Sequence, residues 1–236
     1  MTKRIGIDVG GTFTDFVMLD RDTGGMVHHK EPSTPAAPSM AVASGLKSLL
    51  SKGKANAADV ELIVHGTTLS LNALLQRHGV AVALLTSHGA KDILELARIR
   101  MTEAYDFFAT PDRPMVERQN VLELTARVSA AGEVVALPSN DELDKVASTL
   151  ASMDVQVAVI SLINGYANPG IEHALANGLR ARLPTMPFVA ATEIWSEIRE
   201  YERTMIAVMN GYIEPIMRVY YDRLEALLAE QPPMSG

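Results

Sequence analysis

The chain has 236 residues, 47% of them hydrophobic and 21% charged, a composition that supports one large globular domain or two small ones and excludes a disordered chain. Its net charge of −7 offers no broad attraction for nucleic-acid backbones, and no apolar run is long and uncharged enough to span a membrane. The absence of cysteine rules out disulfides, thiol nucleophiles and cysteine-ligated zinc. With an N-terminus that enters a strand directly rather than through a leader's apolar stretch, it makes the cytoplasm the expected location.

In chain order, residues 4–9 and 16–19 read as short apolar strands of a sheet covered on both faces, joined by a Gly-Gly-Thr hairpin. After the Pro/Ser-rich stretch EPSTPAAPS, Ser39 can cap a helix over 40–52 that presents Ala43, Leu46, Leu49 and Leu50 on one side. Residues 61–65, 69–78 and 80–85 read as strand, helix and strand, a crossover that predicts parallel pairing of the two strands. A further helix is expected over 89–100, an irregular excursion over 105–118, and a hairpin from the segments 121–128 and 133–137.

Ser139-Asn-Asp-Glu142 is a capping box that opens a helix to about 153, followed by a strand at 155–162. Asn168-Pro169 starts another helix, which ends before Pro184, and 188–192 is a short strand. From 196 to about 231 the chain reads as one long helical stretch interrupted at Pro215. Its apolar positions Met205, Val208, Met209, Tyr212, Ile213 and Ile216 form a face that is expected to be partly exposed.

Two readings fit Asp8-Val-Gly-Gly-Thr-Phe-Thr-Asp15. One is an ordinary tight hairpin whose aspartate satisfies turn amides. The other is a phosphate loop, for which Gly10 and Gly11 permit positive φ and close approach, Thr12 and Thr14 add hydroxyls, and Asp8 is an acid placed for a divalent ion. His65-Gly66-Thr67-Thr68 poses the same choice. It is either a helix cap beside a core histidine or an anion site at a helix start, with Asn72 one turn further on. Arg98 and Arg100 suit a helix C-terminus as well as a phosphorylated species, and Glu200 and Arg203 read as an i, i+3 pair on a solvated face. His28, His29, His78, His88 and His173 have no metal-ligand spacing.

Residues 5–15 (IGIDVGGTFTD) resemble the first phosphate loop of the superfamily of sugar kinases, heat-shock chaperones and actin. More narrowly, HGTTLSLNALLQRHG at 65–79, LLTSHGAKDILELARIR at 84–100, AVISLINGYANPGIEH at 158–173 and EIREYERTMIAVMNGYIEP at 197–215 resemble, in the same order, the N-terminal region of the hydantoinase A / oxoprolinase family, which includes ketone carboxylase subunits. Departures occur where the family has Gly-Arg-Gln and this chain has Ala97-Arg98-Ile99, and where the family has Glu-Arg and this chain has Ala126-Arg127. Both bear on the substrate more than on the fold.

The resemblance implies an α/β fold of ribonuclease-H-like (actin-like ATPase) type, a mixed sheet with flanking helices. Residues 1–195 would form that domain, and 196–236 would be a long helix beginning the next one. It implies an ATP-dependent hydantoinase or oxoprolinase that phosphorylates a cyclic amide or imide oxygen to drive ring-opening hydrolysis. The alternatives are part of an ATP-dependent ketone carboxylase and a non-catalytic partner-binding module. Its cofactors would be ATP and Mg2+ (or Mn2+), with Asp8 positioning the metal and Gly10, Gly11, Thr12 and Thr14 holding phosphate. His65, Gly66, Thr67, Thr68 and Asn72 would form a second anion or substrate loop, and Arg98, Arg100, Glu200, Arg203 and Asn210 would line a cleft. No catalytic base is identified. A second Asp-x-Gly-Gly-Thr is absent from the chain, so its partners would be a C-terminal hydantoinase A lobe or subunit and a hydantoinase B-type subunit. The chain alone would then be inactive.

Overall fold

The computed structural model describes residues 2–34, 37–99, 105–106, 108 and 113–229. The chain divides into two compact units, Met1–His78 with Pro215–Gly236, and Gly79–Glu214.

The first unit contains β1 (Lys3–Val9), β2 (Phe13–Asp20), β3 (Met26–Pro32), α1 (Pro38–Lys52), β4 (Val60–Thr67) and α2 (Leu69–Leu75). Its four strands lie in the order β3-β2-β1-β4, with β1 antiparallel to β2 and parallel to β4. This is the mixed sheet of a ribonuclease-H-like fold. Alternation along the strands sets its two faces. Ile5, Ile7, Val9, Phe16 and Met18 are buried with Val42, Leu46, Leu49 and Leu50 of α1, and Tyr220 and Leu224 complete that core. Arg4, Asp8 and Asp15 are exposed between those apolar positions, so the sheet is not covered on both faces as the short apolar runs led us to expect. Strand β3 went unread in the sequence because MVHHKEP carries few apolar residues, as befits an edge strand. Helix α1 starts two residues earlier than expected. Pro38 stands in its first turn, Ala37 is at the cap position, and Ser39 is buried without a capping role.

The second unit contains β5 (Val82–Ser87), α3 (Ile93–Leu96), β6 (Val121–Leu124), β7 (Arg127–Val128), β8 (Val134–Ala136), α4 (Asn140–Ser152), β9 (Val157–Ser161), α5 (Pro169–Arg182), β10 (Phe188–Ala190), α6 (Ala191–Ile194) and the first half of α7 (Glu200–Ala229). Its main sheet, in the order β10-β9-β5-β6, is wholly parallel, and every residue of β5 and β9 is buried. Continuous apolar runs such as VAVIS are what burial on both faces requires. The expected crossover between residues 61–65 and 80–85 is therefore corrected, since β4 and β5 belong to different sheets. The expected 89–100 helix reduces to α3, because Ala97 and Ile99 adopt positive φ. Ser139 caps α4 by accepting from the Glu142 amide, but the Glu142 carboxylate accepts from the Thr125 amide rather than closing the box. Pro215 lies inside α7 without ending it. Ala207, Val208, Gly211 and Tyr212 of that helix are buried, while Met205, Met209, Ile213 and Ile216 are half-buried.

Close packing of α1 on β2 depends on Gly45, where a Cβ would stand only 2.2 Å from the nearest atom of the Phe16 ring. Gly45→Ala is expected to lower stability by about 1–3 kcal/mol, as overpacking does, read as a reduced urea midpoint with an unchanged slope.

Candidate functional site

The last register pair of the β1–β2 hairpin is Val9 with Thr14. Between them the Gly10 amide donates to the Phe13 carbonyl at 3.0 Å, and Gly11 and Thr12 are exposed at the tip. Neither glycine has positive φ, contrary to the reason given from sequence. Gly10 is needed for space, because a Cβ there would stand 2.9 Å from the Phe13 oxygen. The threonines divide in role. Thr12 is exposed, whereas Thr14 is fully buried with its hydroxyl 3.0 Å from Ser33 Oγ.

Parallel pairing sets Asp8 beside Gly66 and Val9 beside Thr67. The turn after β4 therefore emerges next to the hairpin. The Thr68 amide donates to the Val9 carbonyl at 3.2 Å, and Thr67 Oγ1 accepts from the Leu69 amide at 3.1 Å. The Asn72 amide group donates to Thr68 Oγ1 at 3.4 Å and lies beside Gly11. Helix α2 spans seven residues rather than the ten read from sequence. So short a helix contributes little dipole, and the turn offers chiefly hydroxyls, a side-chain amide and its loop amides.

Asp8 and Asp15 face each other across β1 and β2. Both are exposed. Strand alternation puts them on the open face, where Lys30 Nζ meets Asp15 at 2.9 and 3.0 Å and stands over the Phe13 ring. Asp8, Asp15, His28, Lys30 and Val64 are among the residues lining a groove of about 830 Å³ on this face. Among the described residues no group of three or more His, Asp or Glu side chains could hold a metal by itself. Magnesium accompanying a polyphosphate needs only one or two carboxylates, and Asp8, unpaired with Lys30 and next to the loop, fits that demand.

His65 points the other way, into the core. Its Nε2 lies 2.6 Å from the Tyr220 hydroxyl, and its Nδ1 is buried without a hydrogen-bond partner among the described residues. Burial pushes the imidazole below its ordinary pKa of 6.5, only partly opposed by a backbone hydrogen bond and the Asp8 charge. Burial likewise pushes Tyr220 up to about 12. His65 is thus a neutral core group under the turn rather than a cation facing a ligand.

Arg98, Glu200, Arg203 and Asn210 belong to the second unit. Arg98 Nε donates to Glu202 Oε1 at 2.7 Å, and this bond holds the Glu202 carboxyl below the usual range. Ala97, which replaces the glycine usual in the family, has φ 45° and ψ −120°, a conformation that favours glycine. Arg100 lies outside the described residues. Glu200 does not pair with Arg203. Its Oε1 accepts from the Asn164 amide at 3.3 Å. Arg203, 1% exposed, binds the wholly buried Glu172 at 2.7 Å and also the Leu162 carbonyl. Glu172 further accepts from the Leu162 and Thr192 amides at 2.7 and 2.9 Å, so the pair ties the ends of β9, α5 and α6 to α7. Asn210 is half-buried. Sequence reasoning missed Ser33, Tyr220 and Glu172. Only Glu172 carried a signal, as an acid on the apolar side of a predicted helix.

The chain matches the model of the hydantoinase/oxoprolinase N-terminal region over residues 4–183. It is 33% identical over 233 residues to the caprolactamase alpha subunit of Pseudomonas jessenii, covering 96% of this chain and 33% of that one. Against the acetophenone carboxylase gamma subunit of Aromatoleum aromaticum the identity is 30%, with coverage of 94% and 33%. The crystal structure of the ATP-dependent caprolactamase from Pseudomonas jessenii superposes with a TM-score of 0.85 at 32% identity, over 97% of this chain and 34% of that one. The chain spans about a third of the length of these curated relatives, and about a fifth of the 5-oxoprolinases of Arabidopsis thaliana and Saccharomyces cerevisiae that it also matches.

Two measurements check these assignments. Glu172→Ala leaves Arg203 buried without its partner and is expected to cost about 3–5 kcal/mol in urea unfolding. Stability should also be flat between pH 6.5 and 10 as far as His65 and Tyr220 decide it. Below 6.5 the unfolded chain binds a proton that folded His65 resists, so stability falls; from 10 towards about 12 unfolded Tyr220 ionises first, so it falls again. Urea midpoints against pH should lose the alkaline fall in Tyr220→Phe and the corresponding part of the acid fall in His65→Asn.

Proposed function

The chain belongs to the hydantoinase/oxoprolinase family, and from that premise we propose that it is the ATP-phosphate-binding part of an enzyme that opens cyclic amides or imides at the expense of ATP. The observation that carries this reading is the meeting of two turns at one sheet edge, Gly10-Gly11-Thr12 and Thr67-Thr68 with Asn72, beside the exposed carboxylate of Asp8. In this reading the loop amides and Thr12 hold phosphate oxygens, and Asp8 holds Mg2+ (or Mn2+). Bound ATP supplies the phosphoryl group that makes the amide oxygen a leaving group, and the metal spreads its charge. Gly10 keeps the approach free of side chain. Thr68 and Asn72 brace the neighbouring turn, and His65 and Tyr220 support it from the core.

The whole activity would need further polypeptide, for which we propose a C-terminal lobe or subunit and a hydantoinase B-type subunit, since this chain spans only about a third of the caprolactamase alpha subunit. On this reading Arg98, Glu200, Arg203 and Asn210 serve the second unit's architecture at least as much as a cleft. Residues 1–195 as a ribonuclease-H-like domain, with the following helix opening the next, remains our proposal for domain organisation, and the cytoplasm our proposal for location. Among the described residues no helix is long and apolar enough to cross a membrane.

A second reading, part of an ATP-dependent ketone carboxylase, is favoured by the 30% identity to the acetophenone carboxylase subunit. The test is ATP hydrolysis by the full-length polypeptide containing this chain, offered caprolactam, hydantoin, 5-oxoproline or acetophenone with bicarbonate. Stimulation by a cyclic amide is expected, with Asp8→Ala and Gly10→Ala each lowering turnover about 100-fold. Stimulation by the ketone alone would replace the first reading with the second, and ATP turnover with none of them would leave a non-catalytic module.

A further inference from the structure

We propose that Ser33 is the positioning residue of the phosphate loop, the group that turns the loop's amides outward; this rests on the ATP-binding reading above. Ser33 follows Pro32 at the end of β3, in the stretch that the sequence presents only as a Pro/Ser-rich loop. Pro32 pairs with Phe13 but has no N–H, so the first donor available past that register pair is Ser33. Its backbone N–H donates to the Thr12 carbonyl at 2.9 Å, and its hydroxyl donates to the Gly10 carbonyl at 2.7 Å. With its proton spent on Gly10, Ser33 Oγ accepts from Thr14 Oγ1, 3.0 Å away. The result is a directed chain, Thr14 hydroxyl to Ser33 hydroxyl to Gly10 carbonyl.

The consequence follows from peptide planarity. In a trans peptide the C=O and the next N–H point in opposite directions. Drawing the Gly10 and Thr12 carbonyls towards Ser33 directs the Gly11 and Phe13 amides away from it. One serine therefore fixes two peptide planes in the four residues between Val9 and Thr14. It also removes two carbonyl oxygens from the side an anion would approach, where they would repel phosphate. Thr14 acts in the same device. Fully buried, its hydroxyl orients Ser33 rather than reaching a ligand.

The test compares Ser33→Ala and Ser33→Thr with the unchanged protein, each in the full-length polypeptide containing this chain, by two readouts. The first needs no ligand and follows the Gly10 carbonyl-carbon shift and the Gly11 amide exchange rate by NMR. Ser33→Ala should move both and Ser33→Thr should restore both. The second is the ATP dissociation constant by calorimetry, expected to rise about tenfold in Ser33→Ala and to recover in Ser33→Thr. Gly45→Ala, which lowers stability at a distance from the loop, should leave the dissociation constant unchanged, and that separates positioning from general destabilisation. Loop signals unaltered by Ser33→Ala, or an affinity within twofold of the unchanged chain, would overturn the proposal. If the unchanged full-length polypeptide binds no ATP, the functional reading fails, and the ligand-free NMR comparison still decides whether Ser33 sets the loop.

Discussion

Parallel pairing of β1 with β4 is the constraint on which the candidate site depends. Parallel neighbours end at the same edge of a sheet, so the turns that follow them emerge together. Here the register sets Asp8 beside Gly66 and Val9 beside Thr67. Two motifs more than fifty residues apart in the chain thus share one edge, and the Thr68 amide, donating to the Val9 carbonyl, ties the second turn to the first. Slipping β1 by one residue in that register would turn Asp8 towards the apolar core and Ile7 and Val9 out of it. The alternation that buries Ile7 and Val9 is therefore also what holds Asp8 in the open.

Within each unit, several buried polar side chains find partners that arrive from a distant part of the chain. In the first unit Thr14 and Ser33 satisfy each other and the Gly10 carbonyl, and Tyr220 meets His65. In the second unit Glu172 accepts from two backbone amides as well as from Arg203. Enclosing that pair explains why a mid-helix arginine in a charged run is not a solvated residue. Its partner lies thirty-one positions away rather than three.

Much of the fold was legible because its signals are local. A short apolar run marked β1, the continuous run VAVIS marked β9, and Ser139 and Asn168-Pro169 marked the starts of α4 and α5. Strand β3 was not legible, because MVHHKEP earns its place by pairing with β2 and not by burying a side of its own. The strand-helix-strand segment over 61–85 was misassigned because nothing local distinguishes a return to the same sheet from a departure to another. The helix expected over 89–100 was lost to the backbone at Ala97 and Ile99, two residues whose types do not announce positive φ.

By itself the sequence determined that Gly10, Gly11 and Thr12 lie in a turn between strands, that His65-Gly66-Thr67-Thr68 ends another strand, and that the chain carries the family's motifs in order. These follow from residue type and short-range spacing. Only the tertiary structure decided that Thr14 faces inward to Ser33, that His65 is a neutral core group held by Tyr220, that Asp15 is matched by Lys30, and that Arg203 is spent on Glu172. Each of these turns on which partner arrives from a distant part of the chain. Whether a polar side chain serves a ligand or the fold depends on that partner, and a linear pattern does not contain it.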